Sequence, residues 1–136
     1  MPETQNIEYK SVWKDEYLKW ICGFANAQGG MLYIGKDDNG NVVGIKNAKK
    51  LLEDLPNKIT TILGIVAAVN LHETPEGEYI EIVVEPHPNP VNYKGEYHFR
   101  SGSTKQELKG AALDKFLLHK YGKKWDGVTV PSVQIS

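Results

Sequence analysis

Polar side chains that can act on a nucleic acid are concentrated in two short segments of this 136-residue chain. The first segment contains Glu3, Glu8 and Lys10, and the second places Asp37 and Asp38 directly after a short apolar run. Carboxylates are preferred ligands of Mg²⁺, and a nearby lysine can stabilise negative charge that develops on a phosphate. These residue types favour a nucleic-acid module, with metal-dependent cleavage of a phosphodiester as the alternative.

A second group of candidate residues is basic and lies towards the C-terminal end. Residues 1–93 carry 8 Lys and Arg against 13 acids, whereas residues 94–124 carry 8 against 3, although the formal net charge is only −1. A basic end of this kind can hold a phosphate backbone, and a solvated lysine face explains the same pattern equally well. The predicted nucleic-acid contacts in this region are Arg100, Lys105, Lys109 and Tyr97.

Hydrophobic spacing predicts the elements that position these groups in the first half of the chain. Asp15 is predicted to cap a helix that ends at Gly29, and residues 31–34 are predicted to form a buried strand. Glu8 and Lys10 are two positions apart, so they share one face of a first short strand. A polar turn at residues 37–41 is expected to return as a second strand of a hairpin.

The second half is predicted to contain further hairpins and a final helix. Pro56 is expected to break the helix that begins near residue 48. Strands on either side of residues 75–77 and of residues 94–96 are expected to pair as hairpins. Ser103 or Thr104 is expected to cap the last helix.

These elements together predict the fold class and the domain boundaries. Helices interleaved with antiparallel hairpins indicate an α+β fold, with a mixed, mostly antiparallel β-sheet packed against helices on one or both faces. Alternation groups Tyr97 with Phe99, and that aromatic face is expected to belong to the core. Residues 1–120 are predicted to form one domain, and residues 121–136, which lack periodicity, a linker or docking tail.

Composition excludes several classes of protein. The single cysteine rules out an internal disulfide and a cysteine-based zinc site, and the four histidines are scattered. No run approaches the roughly 18 apolar residues that span a bilayer, and no signal peptide is recognised. We therefore expect a cytoplasmic protein without membrane contact, and association into a homo-oligomer is compatible with the composition.

Five sequence blocks, in order, resemble the Schlafen AlbA-type domain over roughly residues 3–118. The blocks are Glu3 with Glu8-Tyr9-Lys10, residues 24–30 (Phe-Ala-Asn-Ala-Gln-Gly-Gly), residues 33–40 (Tyr-Ile-Gly-Lys-Asp-Asp-Asn-Gly), Val43-Gly44-Ile45, and residues 97–103 (Tyr-His-Phe-Arg-Ser-Gly-Ser). The resemblance implies a DNA-binding domain of the type found at the N-terminus of bacterial transcriptional regulators and helicase-like proteins. Further domains are therefore expected in the full-length protein.

The resemblance also implies a catalytic alternative. In eukaryotic Schlafen relatives, three carboxylates form a metal-dependent RNase site, and by position they correspond to Glu3, Glu8 and Asp38, with Lys10 beside them. Such a site implies Mg²⁺ or Mn²⁺ as cofactor. Bacterial members are described mainly as nucleic-acid binding, so the leading hypothesis is a DNA- or RNA-binding module without its own activity. The alternatives are a metal-dependent endoribonuclease and a protein-interaction or oligomerisation domain.

Overall fold

A computed structural model describes residues 6–124, which form a mixed sheet, a separate hairpin and three α-helices. In chain order the elements are β1 (Ile7–Lys10), α1 (Leu18–Asn26), β2 (Gly30–Ile34), α2 (Ala48–Lys58), β3 (Ala68–Thr74), β4 (Gly77–Val84), β5 (Tyr97–Ser101), β6 (Thr104–Leu108) and α3 (Gly110–Lys124). The α+β class is confirmed. Residues 125–136 of the predicted tail lie outside the described residues.

The main sheet has the strand order β1-β2-β4-β3. Strands β1 and β2 are parallel, whereas β4 is antiparallel to both β2 and β3. A parallel pair needs a long crossover connection, and α1 provides it. The predicted mixed, mostly antiparallel sheet is therefore confirmed.

One face of this sheet carries the core. Alternate residues of the two central strands are fully buried, namely Leu32, Ile34, Ile80 and Ile82. They belong to one hydrophobic cluster with residues of α1 and α2, so both helices cover this face. The register sets Glu8 beside Leu32 and Lys10 beside Ile34. Both polar side chains of β1 therefore project towards the side of the sheet that the helices cover, on one shared face as predicted.

Helix α1 lies between the sheet and the β5–β6 hairpin. Gly23 allows α1 to approach β5 closely, since a Cβ atom at this position would lie only 3.3 Å from the backbone nitrogen of Arg100. The helix ends where Gly29, with φ of 78°, donates its N–H to the carbonyl of Phe24 at 2.8 Å. The last helical residue is Asn26, and the left-handed Gly29 lies in the turn that closes the helix end, so the Gly29-Gly30 segment follows the end of α1 as predicted.

Two expectations for the first half of the chain are wrong. The Asp15 carboxylate does not cap a helix but accepts hydrogen bonds from Trp13 Nε1 and Lys58 Nζ, each at 2.7 Å. The turn after β2 does not return as a strand, because Gly35 O accepts the N–H groups of both Val43 and Gly44 and bends the chain. Only an isolated bridge between residues 36 and 42 remains of the predicted hairpin in this described segment.

Three further expectations fail in the second half. In the described chain, only an isolated bridge between Tyr93 and Glu96 remains of the hairpin expected around residues 94–96, because β5 pairs with β6 instead. Pro56 lies inside α2, which continues through Lys58 into a π-helical turn at Ile59–Leu63, because its apolar face stays buried on the sheet. Proline has no N–H, so Pro56 removes one hydrogen bond from the helix, and the burial of the apolar face offsets this loss. Thr104 begins strand β6 instead of capping a helix, and its hydroxyl donates to Ser101 O in the tight β5–β6 turn. Within residues 6–124, no helix has the length and apolar character needed to cross a bilayer.

Candidate nucleic-acid interface

A buried ion pair joins the first strand to the β5–β6 hairpin. Arg100 Nη1 donates to Glu8 Oε1 at 2.7 Å, and the two side chains are 1% and 6% exposed. The guanidinium also donates to the carbonyls of Ile7 and Gly102, at 2.9 and 3.2 Å. On the other side of the carboxylate, Lys10 Nζ lies 3.3 Å from Glu8 Oε2. Each oxygen of the buried carboxylate thus faces a cationic group, and the guanidinium donates to one carboxylate and two carbonyls, which offsets part of the cost of burying these charges.

The burial of Arg100 reverses the orientation predicted for β5. His98 and Arg100 are the buried residues of this strand, whereas Tyr97 and Phe99 are only half-buried and contact Phe116 of α3. The expectation that the aromatic face of β5 enters the core is therefore wrong. The reason is that β1 offers this strand a carboxylate and a carbonyl, and the guanidinium donates to both.

The structure describes two of the three carboxylates that the resemblance implies as a metal site, Glu8 and Asp38. Glu3 lies outside the described residues. Asp38 is exposed and lines a polar cavity of about 310 Å³ with Lys10 and Lys36, whereas the Glu8 oxygens face cations. Across residues 6–124, no group of three His, Cys, Asp or Glu side chains is arranged to hold a metal ion. Both oxygens of Glu8 therefore face cationic side chains, and the three-carboxylate site with Mg²⁺ or Mn²⁺, which includes Glu3, stays a prediction.

A continuous strip of lysines and aromatic rings crosses α1 and the β5–β6 hairpin. We call it the lysine–aromatic strip, and its members are Lys10, Lys19, Trp20, Tyr93, Lys94 and Lys105. Two of its ammonium groups lie 5.0 and 5.9 Å from the Trp20 ring, and two lie 5.8 and 5.3 Å from the Tyr93 ring. Cation–π contacts of this kind orient an ammonium group without cancelling its charge.

His98 connects the two halves of the strip. Its Nε2 lies 2.9 Å from Glu96 Oε1, its Nδ1 lies 3.4 Å from Lys105 Nζ, and its ring contacts Tyr93 edge-on. A neutral imidazole that donates from Nε2 and accepts at Nδ1 satisfies both polar contacts. Burial lowers the pKa of His98, the Glu96 hydrogen bond opposes this, and the Lys105 charge lowers it further. His98 therefore holds Lys105 in place as a neutral acceptor.

The strip brings lysines together that have no direct carboxylate partner among the described residues. Burial lowers the pKa of Lys105 and the charge of Lys19 lowers it further, whereas the charges of Glu107 and Glu96 raise it. In the described part of the chain, no carboxylate lies within ion-pair distance of Lys19, Lys94 or Lys105. Several positive charges held close together without direct neutralisation provide a site for an anionic backbone.

The pH dependence of stability tests the neutral state of His98. Because the folded-state pKa of His98 is lowered, the unfolded chain takes up a proton near the ordinary histidine value of 6.5 that the folded chain does not. The unfolded state then binds more protons, so the free energy of unfolding should fall as the pH falls through this value. Urea unfolding at pH 7.5 and pH 5.5 measures the change. We expect a flatter dependence in His98→Gln, and an equal slope in that variant would contradict the assignment.

The sequence-predicted basic residues occupy three different environments. Lys105 belongs to the strip, whereas Lys109 is exposed and lies 3.9 Å from Glu107. Arg100 is bound to Glu8, so it can reach a phosphate only by leaving its buried partner. Sequence reasoning missed Lys19, Trp20, Tyr93 and Lys94. The available signal was the direct adjacency of a lysine and an aromatic residue in the pairs 19–20 and 93–94.

The blocks of sequence joined by these contacts correspond to a known domain family. The family model described as Schlafen, AlbA_2 matches residues 3–109, which is most of the chain. The chain belongs to the Schlafen AlbA_2 family. No curated protein sequence matches it.

Two solved structures resemble this Schlafen AlbA_2 domain. One is the crystal structure of the DIP2311 protein from Corynebacterium diphtheriae, with TM-score 0.60 and 16% identity over 76% of this chain and 25% of that one. The other is the solution structure of the N-terminal domain of a RecG-related, helicase-like protein from Nitrosomonas europaea, with TM-score 0.51 and 22% identity over 77% of this chain and 82% of that one. The chain thus spans about a quarter of the length of the C. diphtheriae protein. At these identities the similarity shows a common fold.

Proposed function

We propose that this Schlafen AlbA_2 domain binds nucleic acid and that the lysine–aromatic strip holds the phosphate backbone. The observation that supports the proposal most directly is the placement of four ammonium groups around two aromatic rings on one surface. Phosphate contacts supply most of the non-specific affinity of such proteins, and aromatic rings add sequence-tolerant stacking. Family membership and the N-terminal domain of the helicase-like N. europaea protein agree with this role.

Salt dependence measures how many phosphates the strip contacts. If its four lysines each neutralise one phosphate, the logarithm of affinity should fall with the logarithm of salt concentration with a slope of about −3 for a single strand. Raising salt from about 50 to about 200 mM then weakens binding about 50-fold. Fluorescence anisotropy of labelled oligonucleotides measures this. In the triple variant Lys19→Gln, Lys94→Gln and Lys105→Gln, we expect a slope of about −1.

A matched variant on another face of the domain controls for net charge. Lys46, Lys49 and Lys50 are exposed on and just before α2, so replacing all three with Gln changes the charge equally. We expect this control to keep most of the wild-type slope. Equal losses in both triple variants would show that only overall charge matters. If the wild-type domain binds neither DNA nor RNA at low salt, the proposal fails and a protein-interaction role becomes the better explanation.

The same samples test the nuclease alternative. After incubation with Mg²⁺ or Mn²⁺, the oligonucleotides are separated on a denaturing gel, and we expect them to remain intact. Shortened products that disappear in Asp38→Asn and Glu8→Gln would favour a catalytic site completed by Glu3.

A further inference from the structure

A strained tight turn presents one lysine of the strip. Tyr93 and Glu96 exchange two backbone hydrogen bonds, at 2.7 and 2.8 Å, which enclose Lys94 with φ of 50° and Gly95 with φ of 88°. Lys94 is the one non-glycine residue with positive φ among residues 6–124. Two-residue turns with positive φ at both positions strongly prefer Asn, Asp or Gly at the first. A lysine there is conformationally unfavourable, and such outliers concentrate at functional sites.

The turn fixes the position of an aromatic ring relative to two charges. Gly95 N–H donates to the side-chain oxygen Oδ1 of Asn92 at 2.9 Å, and this additional hydrogen bond stabilises the turn. The half-buried Tyr93 ring is held edge-on against His98, with the Lys94 and Lys19 ammonium groups 5.3 and 5.8 Å from its centre. Because lysine side chains are long and flexible, a base can replace an ammonium group over the ring, and the displaced ammonium group can then contact a phosphate beside that base.

The rest of the strip is poorly suited to reading a duplex. Reading the major groove requires an exposed helix or a two-stranded ribbon that enters it. The helix in the strip, α1, has seven of its nine residues buried between the sheet and the hairpin. Its remaining side chains, Lys19 and Trp20, already contact the other members of the strip. The β5–β6 hairpin is a two-stranded ribbon, but β5 packs against Gly23 of α1 and, through Tyr97 and Phe99, against Phe116 of α3. This surface therefore offers a track to an extended chain of nucleotides and no free element that could insert into a groove.

From this geometry we infer that the strip binds single-stranded nucleic acid, with a base stacked on Tyr93 and its flanking phosphates against Lys19 and Lys94. The inference rests on the proposed function and narrows it to a ligand class. Every base has a stacking face, so binding should depend weakly on sequence.

Anisotropy titrations with single strands of about 12 nucleotides, as DNA and as RNA, and with the matching duplexes test the ligand class. We expect tighter binding of single strands. Tyr93→Ala should weaken it about 5- to 100-fold, as loss of one stacked base predicts, whereas Tyr93→Phe should stay close to wild type. Tyr121→Ala removes a tyrosine that is 47% exposed on α3. This control variant should bind single strands as tightly as the wild-type domain.

Two substitutions at one position separate charge from backbone strain. Lys94→Gly should weaken single-strand binding and raise the thermal unfolding midpoint, because glycine adopts positive φ freely. Lys94→Gln should weaken binding equally without this rise in the midpoint. Equal affinity for duplex and single strand, together with unchanged binding by Tyr93→Ala, would overturn the inference and leave the proposed function standing. A wild-type domain that binds no nucleic acid would overturn both.

Discussion

Replacing Arg100 with methionine is expected to lower the free energy of unfolding by about 3–5 kcal/mol, because it leaves the Glu8 carboxylate buried without its main partner. Lys10 remains 3.3 Å from the second oxygen, but one ammonium group cannot replace the guanidinium bonds to Glu8 and to two backbone carbonyls. Urea unfolding at neutral pH measures the loss. The double variant Glu8→Gln and Arg100→Met should recover part of it, since the unpaired charge is then absent.

Lys109→Met is the matched control for this substitution. The Lys109 ammonium is 76% exposed beside Glu107, and exposed pairs contribute little, so its loss should change stability by less than about 0.5 kcal/mol. Binding assays on both variants then assign the role of each residue. If Arg100→Met keeps wild-type stability and loses nucleic-acid affinity, Arg100 is a ligand contact and the structural assignment is wrong.

The location of Arg100 shows what sequence patterns cannot supply. Alternation along β5 correctly pairs Arg100 with His98 on one face, but it contains no information about which face is buried. Which face of β5 is buried depends on Glu8, which lies 92 positions earlier in the chain. Its carboxylate supplies the opposite charge that a buried guanidinium needs. The local elements around Gly29, the β2 strand and the 75–77 turn were predictable because short-range spacing determines them.

The lysine–aromatic strip illustrates the same limit for the site. Its residues come from β1, α1, the turn before β5, and β6, so no window of sequence contains them together. The distribution of charge along the chain indicated a basic C-terminal region that includes Lys94 and Lys105. Lys19 lies in the acidic part of the sequence, so this distribution could not point to it. Conversely, contacts in the fold join three of the five blocks that indicate the family. Glu8, Asn26 and Arg100 come from three of these blocks, and all three tie the hairpin or the loop before it to the rest of the domain.

Asn26 is the second position at which a large effect is expected. Its amide nitrogen donates to the carbonyls of Val91 and His98, and its oxygen accepts the Val91 N–H, each at 2.8 Å in a buried site. Asn26→Ala removes all three bonds and should destabilise the domain by about 3–4 kcal/mol, since each buried polar group left without a partner costs about 1–3 kcal/mol. These contacts assign Asn26 a structural role.

Asn26→Asp distinguishes this hydrogen-bond clamp from simple packing, because aspartate keeps the shape of the side chain and the acceptor for Val91 N–H. Its ionised carboxylate would face two carbonyl oxygens, so burial and repulsion should raise its folded-state pKa. The folded state then binds more protons than the unfolded state, and stability must fall as the pH rises. This trend opposes the one expected from His98 in the wild-type protein. The stability gap between Asn26→Asp and wild type should therefore widen from pH 5 to pH 8 in urea unfolding. A constant gap would show that the two donated hydrogen bonds do not stabilise the loop before β5.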